Sequence, residues 1–308
     1  MRAVGVTIPG GPEQLEVLDL PLPQPGAGEL RIAVVAAAVN PTDTVLRQRG
    51  GPDGLEPPWI PGMDAAGVVD AVGQGVELAP GDRVVAIIDP RTRRGGAYAE
   101  LVVVPADGVA RLPDDGDLVA ASTLPLNALT ARHCLEAMRA PHAGTIAVTG
   151  AAGAVGGYAI ELAKHAGLRV VADAKGEDVA LVESFGADLV LPRGDGFPQA
   201  VLEHEPGGVD ALLDAAVMGA AVLPAVRDGG VVACVRPFDG EPERGIDVYT
   251  VTPADYVHDG AGLAELVDLA TRGVLSLRVA RTLPAEEAAE AHRQLEAGGT
   301  RGRVVLTF

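Results

Sequence analysis

A short apolar run, a glycine-rich turn and a helical pattern follow one another in the middle of the chain. The run is Ile146 to Thr149, which predicts a buried strand, and Gly150, Gly153 and Gly156 follow at three-residue spacing. Apolar residues then recur at helical spacing. A turn without Cβ atoms lets backbone approach a pyrophosphate, and a helix N-terminus offers free N–H groups and partial positive charge. The strand–turn–helix context therefore predicts a dinucleotide site. Its predicted binding residues are Gly150, Ala151, Gly153, Ala154, Val155 and Gly156.

Composition limits the class of protein. With 308 residues the chain exceeds what one core usually serves, so two domains are expected. No apolar run approaches the roughly 20 residues that span a bilayer, and the N-terminus lacks a signal pattern. Only Cys134 and Cys234 are present, which argues against a disulfide framework. We therefore expect a cytoplasmic protein without a membrane partner.

The net charge of −18 bears on possible partners. An acidic surface repels phosphate backbones and anionic membranes. Nucleic acid is therefore not an expected partner. The absence of Gly-x-Ser-x-Gly, and of Gly-Lys-Ser/Thr after the glycine turn, argues against a serine hydrolase and a nucleoside triphosphate loop.

The pattern of elements changes near residue 120. Before it, short strands are predicted over 15–20, 30–39, 65–72, 83–88 and 97–104. After it, strands at 170–172, 189–191, 211–215 and 231–235 alternate with helices at 177–185, 197–204 and 217–226. Helices at 261–272 and 285–296 and a strand at 303–308 close the chain. This is an α/β pattern, in which a β-rich domain (1–120) precedes a parallel-sheet domain (121–252), and 253–308 return to the first.

A series of short motifs supports a family resemblance. The motifs are Val39-Asn-Pro-Thr-Asp43, Pro61-Gly-Met-Asp-Ala-Ala-Gly67, Pro80-Gly-Asp-Arg-Val84, Gly95-Gly-Ala-Tyr-Ala-Glu100, Leu124-Pro-Leu-Asn-Ala-Leu-Thr130, Phe185-Gly-Ala-Asp188, Ala288-Ala-Glu-Ala-His292 and Gly302-Arg-Val-Val-Leu306. In this order, they resemble the zinc-independent, quinone-oxidoreductase-like branch of the medium-chain dehydrogenases/reductases, over nearly the whole chain.

The resemblance implies a fold and an assembly. It implies a GroES-like β-rich catalytic domain and a Rossmann domain with a doubly wound parallel sheet, with the active site in the cleft between them. Members commonly form homodimers by pairing edge strands of the Rossmann sheets. Residues 246–251 are the candidate edge here.

The positions that hold zinc in zinc-dependent relatives carry other residues. Pro41, Thr42 and Asp43 stand in the first loop, Met63 and Asp64 follow Gly62, and no Cys precedes residue 134. We therefore expect neither catalytic nor structural zinc. Without zinc, hydride transfer suits an acceptor with its own electron sink, such as a quinone or an α,β-unsaturated carbonyl. An NAD(P)H-dependent reductase of such a small molecule is the expected function, and a biosynthetic enoyl reductase is one form of it.

Three residues are candidates for catalysis. The resemblance places Asn40 and Asp43 in a loop near the nicotinamide, where Asn40 could hydrogen-bond a substrate oxygen. Equally, Asn-Pro starts a turn and Asp43 caps a helix. Thr130 matches a position that usually contacts the nicotinamide side of the cofactor, and a structural role is the alternative. Asp64 is read as an ionic or capping residue. A tyrosine that several relatives carry after this loop is missing, and Tyr98 occupies a motif position that is more often structural.

The cofactor preference is ambiguous in the sequence. Asp173, about 20 residues beyond Gly153, favours a ribose 2′-hydroxyl and hence NAD(H). Lys175 and Arg193 could pair with a 2′-phosphate, and the family mostly prefers NADP(H). We expect NADP(H) over NAD(H). The alternative to an enzyme is a catalytically silent nucleotide-binding protein with a redox-sensing or interaction role.

Overall fold

A computed structural model describes all residues from 1 to 308. Its strands are β1 (Arg2–Val6), β2 (Leu15–Asp19), β3 (Glu29–Ala38), β4 (Asp64–Val72), β5 (Arg83–Ile87), β6 (Leu101–Pro105), β7 (Val109–Arg111), β8 (Thr145–Thr149), β9 (Arg169–Ala174), β10 (Leu189–Pro192), β11 (Val209–Asp214), β12 (Val226–Cys234), β13 (Asp247–Thr250), β14 (Val279–Pro284) and β15 (Arg303–Thr307). Its α-helices are α1 (Pro41–Arg49), α2 (Leu118–Ala121), α3 (Pro125–Met138), α4 (Ala154–His165), α5 (Val179–Ser184), α6 (Phe197–His204), α7 (Gly260–Thr271) and α8 (Ala288–Ala297). Short 3₁₀ helices occupy Pro12–Gln14, Ala106–Gly108, Gly176–Asp178, Gly219–Ala225, Pro253–Asp255 and Ala285–Glu287.

The chain forms two compact units. The first unit contains Met1–Leu126, Val257–Thr271 and Leu277–Phe308, and the second contains Asn127–Tyr256 and Arg272–Ser276. The boundaries predicted from the sequence lie at 120 and 252. A short return, Arg272–Ser276, was not anticipated, and its Ser276 N–H bonds the buried carboxylate of Glu161 in the second unit at 3.1 Å.

The second unit is built on a six-stranded parallel sheet in the order β10-β9-β8-β11-β12-β13. Relative to β8, this is the 3-2-1-4-5-6 order of a doubly wound dinucleotide-binding fold. Ile146, Ala147 and Val148 of β8 are all fully buried, as expected for a central strand covered on both faces. The predicted α/β class and parallel sheet are confirmed.

The first unit is dominated by a seven-stranded sheet. Its path is β14-β15-β3-β4-β5-β7, with β6 pairing β3 as well, and all neighbours are antiparallel except β14 and β15. Strands β1 and β2 form a separate antiparallel pair. Alternate residues of β3, such as Leu30, Ile32 and Val34, enter the core together with Leu306 of β15. The C-terminal strand is therefore an interior part of this sheet.

One predicted element was wrong, and one predicted strand began too early. An α-helix is predicted at 217–226, but the structure has a 3₁₀ helix over Gly219–Ala225. The last residue of the predicted range, Val226, is the first residue of β12. Pro224 supplies no N–H, and Val217 and Gly219 have φ values of 59° and 60°, so an α-helix cannot run through them. The predicted strand at 97–104 is regular only from Leu101, because residues 96–98 bond the backbone of Ile60, Pro61 and Gly62.

Candidate functional site

The glycine-rich turn lies between β8 and α4, as predicted. Gly150 has a φ of 67°, and Gly153 precedes the first residue of the helix. A Cβ atom on Gly156 would lie 2.4 Å from the Gly150 carbonyl oxygen and 2.7 Å from the Ala151 Cα. A Cβ on Gly150 would lie 3.0 Å from the backbone of Ala215. Backbone therefore closes on the turn from two sides, and the N-terminus of α4, which begins directly after the half-buried Gly153, offers the N–H groups that a dinucleotide pyrophosphate requires.

Asp173 lies beneath this turn rather than in solvent. Its side chain is 1% exposed, and its Oδ1 accepts the N–H of Ala151 at 2.9 Å. Burial raises the pKa of this carboxyl, against the lowering effects of the Ala151 and Gly150 N–H groups and of Arg193. Its Oδ2 has no hydrogen-bond partner and lies 3.8 Å from Nε of Arg193. One oxygen of Asp173 thus supports the turn, and its predicted role toward a ribose hydroxyl stays a prediction.

The two predicted cationic residues lie at neighbouring strand ends. Lys175 directly follows β9 and is exposed, and Arg193 directly follows β10. The Arg193 N–H bonds the carbonyl of Ala174, so the two strand ends are held side by side. The structure therefore brings Asp173, Lys175 and Arg193 together at the carboxyl edge of the sheet.

A second turn lies beside the glycine-rich one. Asp214, at the end of β11, accepts the Thr149 hydroxyl at 2.8 Å and the N–H groups of Met218 and Gly219 at 2.8 and 2.9 Å. These bonds fix residues 215–219, where Val217 has a left-handed φ of 59° with 57% of its surface exposed. An exposed β-branched residue in this conformation is strained. Sequence patterns gave no signal for it.

Thr130 is buried on α3 and pairs with a residue that the sequence analysis did not single out. Its hydroxyl lies 2.7 Å from the Tyr256 hydroxyl, and the Tyr256 ring lies 5.3 Å from that of His133. The two residues are 126 positions apart, so local sequence could not indicate the pair. A contact of Thr130 with a nicotinamide stays a prediction.

In the first unit, Asn40 and Asp43 form the predicted cap at the start of α1. The Asn40 N–H donates to Asp43 Oδ2 at 2.8 Å. The Asn40 side-chain amide donates to the Ala38 carbonyl at 3.2 Å and to Asp64 Oδ2 at 2.7 Å. Both amide hydrogens therefore have acceptors inside the protein. The capping alternative is what the structure shows, and a substrate contact by Asn40 stays a prediction.

Asp64 is a buried structural acceptor as well. Its Oδ1 accepts the Leu126 N–H at 2.6 Å, and its Oδ2 holds Asn40. Burial raises the pKa of Asp64 to about 7. Thr42, between Pro41 and Asp43, differs from its neighbours because its buried hydroxyl has no hydrogen-bond partner. Thr42 was not singled out from the sequence as a catalytic candidate.

Asp43 is also one end of a buried polar chain that reaches α8. Tyr98 Oη lies 3.2 Å from Asp43 Oδ2 and 3.1 Å from His292 Nε2. His292 Nδ1 lies 3.3 Å from an Arg47 nitrogen, and Arg47 also contacts Glu296 at 2.5 Å. Burial raises the pKa of Asp43 to about 7 and lowers that of His292 to about 3. The motif residues Asp43, Tyr98 and His292, far apart in sequence, form one network.

Other sites of chemistry are limited. No group of three or more His, Cys, Asp or Glu side chains is placed to hold a metal ion. Cys134 and Cys234 are both buried, and burial raises the pKa of each thiol to about 12. Helices long and apolar enough to cross a bilayer are absent.

Two protein families match the chain. The alcohol dehydrogenase GroES-like domain matches residues 26–114, and the zinc-binding dehydrogenase family matches residues 185–306. The first match confirms the GroES-like part of the predicted fold.

Curated relatives agree with these families. A 2-haloacrylate reductase from a Burkholderia species is 30% identical over 96% of this chain and 96% of its own length. A quinone oxidoreductase from Sus scrofa is 29% identical over 99% of this chain and 97% of its own. An NADPH-dependent alkenal/one oxidoreductase from Arabidopsis thaliana is 33% identical over 73% of this chain, which spans 60% of that relative.

Solved structures agree in fold along the full length. A mycobacterial protein complexed with NADPH is 32% identical with a TM-score of 0.87, and covers 100% of both chains. A structure described as an NAD-dependent alcohol dehydrogenase has the same identity and coverage and a TM-score of 0.88. With the motif series and the two units described above, these similarities show that the chain belongs to the quinone oxidoreductase branch of the medium-chain dehydrogenase/reductase superfamily.

Proposed function

We propose that this protein is an NADPH-dependent oxidoreductase that reduces a quinone or an α,β-unsaturated carbonyl compound. The observation that carries the proposal is the turn at Gly150–Gly156, where a Cβ on Gly150 or Gly156 would strike backbone and α4 begins directly after Gly153. The relatives support the choice of acceptor, because alkenals and haloacrylates both have a C=C bond conjugated to a carbonyl group.

A bound NADPH would supply the hydride. The chain's own residues bind and orient the reactants and stabilise the oxygen on which negative charge develops. We propose Thr42 as the hydrogen-bond donor to that oxygen, because its hydroxyl is the polar side-chain group of the Asn-Pro-Thr-Asp motif that lacks a partner. An unsatisfied buried hydroxyl costs stability, and a substrate oxygen would satisfy it.

We propose that the reaction proceeds without zinc. The positions discussed above carry Pro41, Thr42, Asp43, Met63 and Asp64, and Asp64 Oδ2 accepts from the Asn40 amide at 2.7 Å. Asn40 and Asp64 are fully buried, and the set lacks the thiolate and imidazole ligands that zinc prefers. Adding zinc or a chelator to the purified protein is expected to leave turnover and thermal stability unchanged.

The preference for NADP(H) is proposed from Arg193 and Lys175. Arg193 has 43% of its side chain exposed and a geometrically poor contact with Asp173, so it can turn toward a 2′-phosphate. Arg193→Ala is expected to weaken NADPH binding about 10- to 100-fold, the effect of one charged hydrogen bond, and to leave NADH binding unchanged. Equal weakening for both cofactors would contradict this preference.

The decisive experiment measures oxidation of NADPH and NADH by the purified protein through cofactor absorbance. 1,4-Benzoquinone and 2-cyclohexenone serve as acceptors, and cyclohexanone, which lacks the conjugated double bond, is the matched control. Turnover with a conjugated acceptor and none with cyclohexanone is expected. Turnover with cyclohexanone alone would refute the proposed acceptor class.

A second candidate is the catalytically silent nucleotide-binding protein. It is favoured by the complete burial of Asn40 and Asp43 and by the internal acceptors of Asn40. Saturable NADPH binding without turnover across quinones, enones and enoyl thioesters would support it.

We also propose a homodimer through the second unit. β13 has a strand neighbour on one side, β12, and its Tyr249 is exposed. An unpaired strand edge is a ready surface for a second copy. Sedimentation equilibrium is expected to give twice the chain mass, and a monomer at micromolar concentration would refute the proposal.

A further inference from the structure

The buried hydrogen-bond network that runs from Arg47 to Asp43 has one direction of donation. A guanidinium group only donates hydrogen bonds, so His292 Nδ1 must accept from Arg47 at 3.3 Å. The proton of neutral His292 is then on Nε2 and donates to Tyr98 Oη at 3.1 Å. With its oxygen accepting from His292, Tyr98 donates its own proton to Asp43 Oδ2 at 3.2 Å.

The Asp43 carboxyl group accepts in each of its three hydrogen bonds. Besides Tyr98, its Oδ2 accepts the Asn40 N–H at 2.8 Å, and its Oδ1 accepts the Gly62 N–H at 3.1 Å. All three partners are donors, so the arrangement matches a carboxylate. A proton on Asp43 would find an acceptor only if Tyr98 turned its own proton toward His292.

That reversal fails at Arg47. If Tyr98 donated to His292 Nε2, the ring proton would move to Nδ1 and face the Arg47 N–H across the same 3.3 Å. Two donors would then oppose each other with no acceptor between them, which costs free energy in a buried site. The hydrogen bonds of this network are therefore all satisfied in one protonation pattern, the one in which Asp43 is ionised.

We propose that Tyr98 and His292 are positioning residues for the reductase reaction, which select the carboxylate form of Asp43 and thereby fix the start of α1, including Thr42, against the Gly62 turn. This inference rests on the proposed function. Glu296 accepts hydrogen bonds from Arg47 and Gln48 and so holds the Arg47 end of the network.

The charges around Asp43 and His292 determine the pH range in which this protonation pattern is lost. Asp64 on β4 and Arg303 on β15 act electrostatically on Asp43 with opposite signs, and Arg47 and Glu296 lie beyond His292. Burial raises the pKa of Asp43 to about 7, so its carboxylate form is gained as pH rises through neutrality. Burial also lowers the pKa of His292 to about 3, so His292 stays neutral above that pH.

The first test is the pH profile of kcat for NADPH oxidation from pH 5.5 to 9. Tyr98→Phe and His292→Leu are expected to move the acid limb up by about one pH unit, the effect of one lost charged hydrogen bond. They should lower kcat about 5- to 10-fold at pH 7, recover near pH 9 and leave KM for NADPH unchanged. His292→Gln can both accept from Arg47 and donate to Tyr98, so it should restore the wild-type limb.

An equal loss of kcat at every pH, without a shift of the limb, would show a merely structural role and overturn the proposal. A thermal unfolding scan of each variant confirms that it is folded. Failure of His292→Gln to restore the limb would likewise contradict the donor direction.

The second test needs no substrate. The chain has six histidines, and ¹⁵N-histidine NMR of the wild type and His292→Gln identifies the signal of His292. The expected signal is the neutral Nε2–H tautomer from pH 5 to 8, and an Nδ1–H tautomer or protonation in that range would overturn the proposal. Lack of turnover in the wild type would instead refute the proposed function, and the His292 tautomer would still decide the protonation pattern.

Discussion

Gly156 offers the most direct test of the dinucleotide turn. In Gly156→Ala, the new Cβ would lie 2.4 Å from the Gly150 carbonyl oxygen and 2.7 Å from the Ala151 Cα. Contacts of this kind are comfortable near 3.5 Å, so helix and turn must separate by about 1 Å. Both partners are backbone atoms, so no side-chain rotation can relieve the overlap.

The cost follows from overpacking. Inserting one methyl group into a close-packed site costs about 1–3 kcal/mol, which at about 3 °C per kcal/mol lowers Tm by about 3–9 °C. Because the displaced backbone is the part that approaches the pyrophosphate, we expect NADPH affinity to fall about 10- to 100-fold. Fluorescence titration of NADPH and thermal unfolding measure the two effects on the same sample.

Gly196→Ala is the matched control. Gly196 also precedes a helix of the second unit, with a φ of −78°, and a Cβ there meets nothing within 4 Å. It should change neither Tm nor NADPH affinity. Wild-type affinity in Gly156→Ala would refute the reasoning that close backbone contact shapes the cofactor site.

Three further substitutions test Thr42, Val217 and His292 through stability, and the first also through kcat. Thr42→Val should raise the free energy of unfolding by about 1 kcal/mol, because a buried unpartnered hydroxyl is removed, and lower kcat about 10-fold; unchanged kcat would dismiss Thr42 as the donor. Val217→Gly should raise Tm by a few degrees by relieving a φ of 59°, and a lower Tm would mean that the side chain packs. His292, with its pKa lowered to about 3, destabilises the fold as pH falls below about 6.5, where the unfolded form gains a proton. In urea titrations between pH 6.5 and 4, His292→Gln should therefore lose about 1.4 kcal/mol less per pH unit than the wild type, and parallel curves would contradict a neutral buried His292.

The elements that the sequence predicted well are those set by local patterns. The glycine turn and β8 depend on residues within about ten positions, and the alternating strands and helices up to β11 follow from short-range periodicity. The prediction of a helix at 217–226 was wrong because the apolar residues there belong to a 3₁₀ helix and to the first residue of β12. Asp214, which organises that turn, reaches forward to Met218 and Gly219 from the strand before it.

The candidate site could be predicted only in part, because its polar groups find partners far along the chain. Asn40 and Asp64 are 24 positions apart, and Tyr98 and His292 are 194 apart. The motifs named these residues one by one, and a capping role for Asp43 could be read locally. That they share one hydrogen-bonded chain depends on how β15 and α8 return to the first unit, which no local pattern contains.

The interior place of β15 has a consequence for how the protein is made. Residues 305–307 pair with 36–38 of β3, so these three residues of β3 have no partner on this side until β15 has left the ribosome. The second unit, nearly continuous in sequence, is by then fully synthesised. During translation the nascent first unit thus carries an open strand edge, a surface prone to aggregation and suited to a chaperone. A chain that stops just before Arg303 would lack β15 and would leave that edge open in the middle of a sheet.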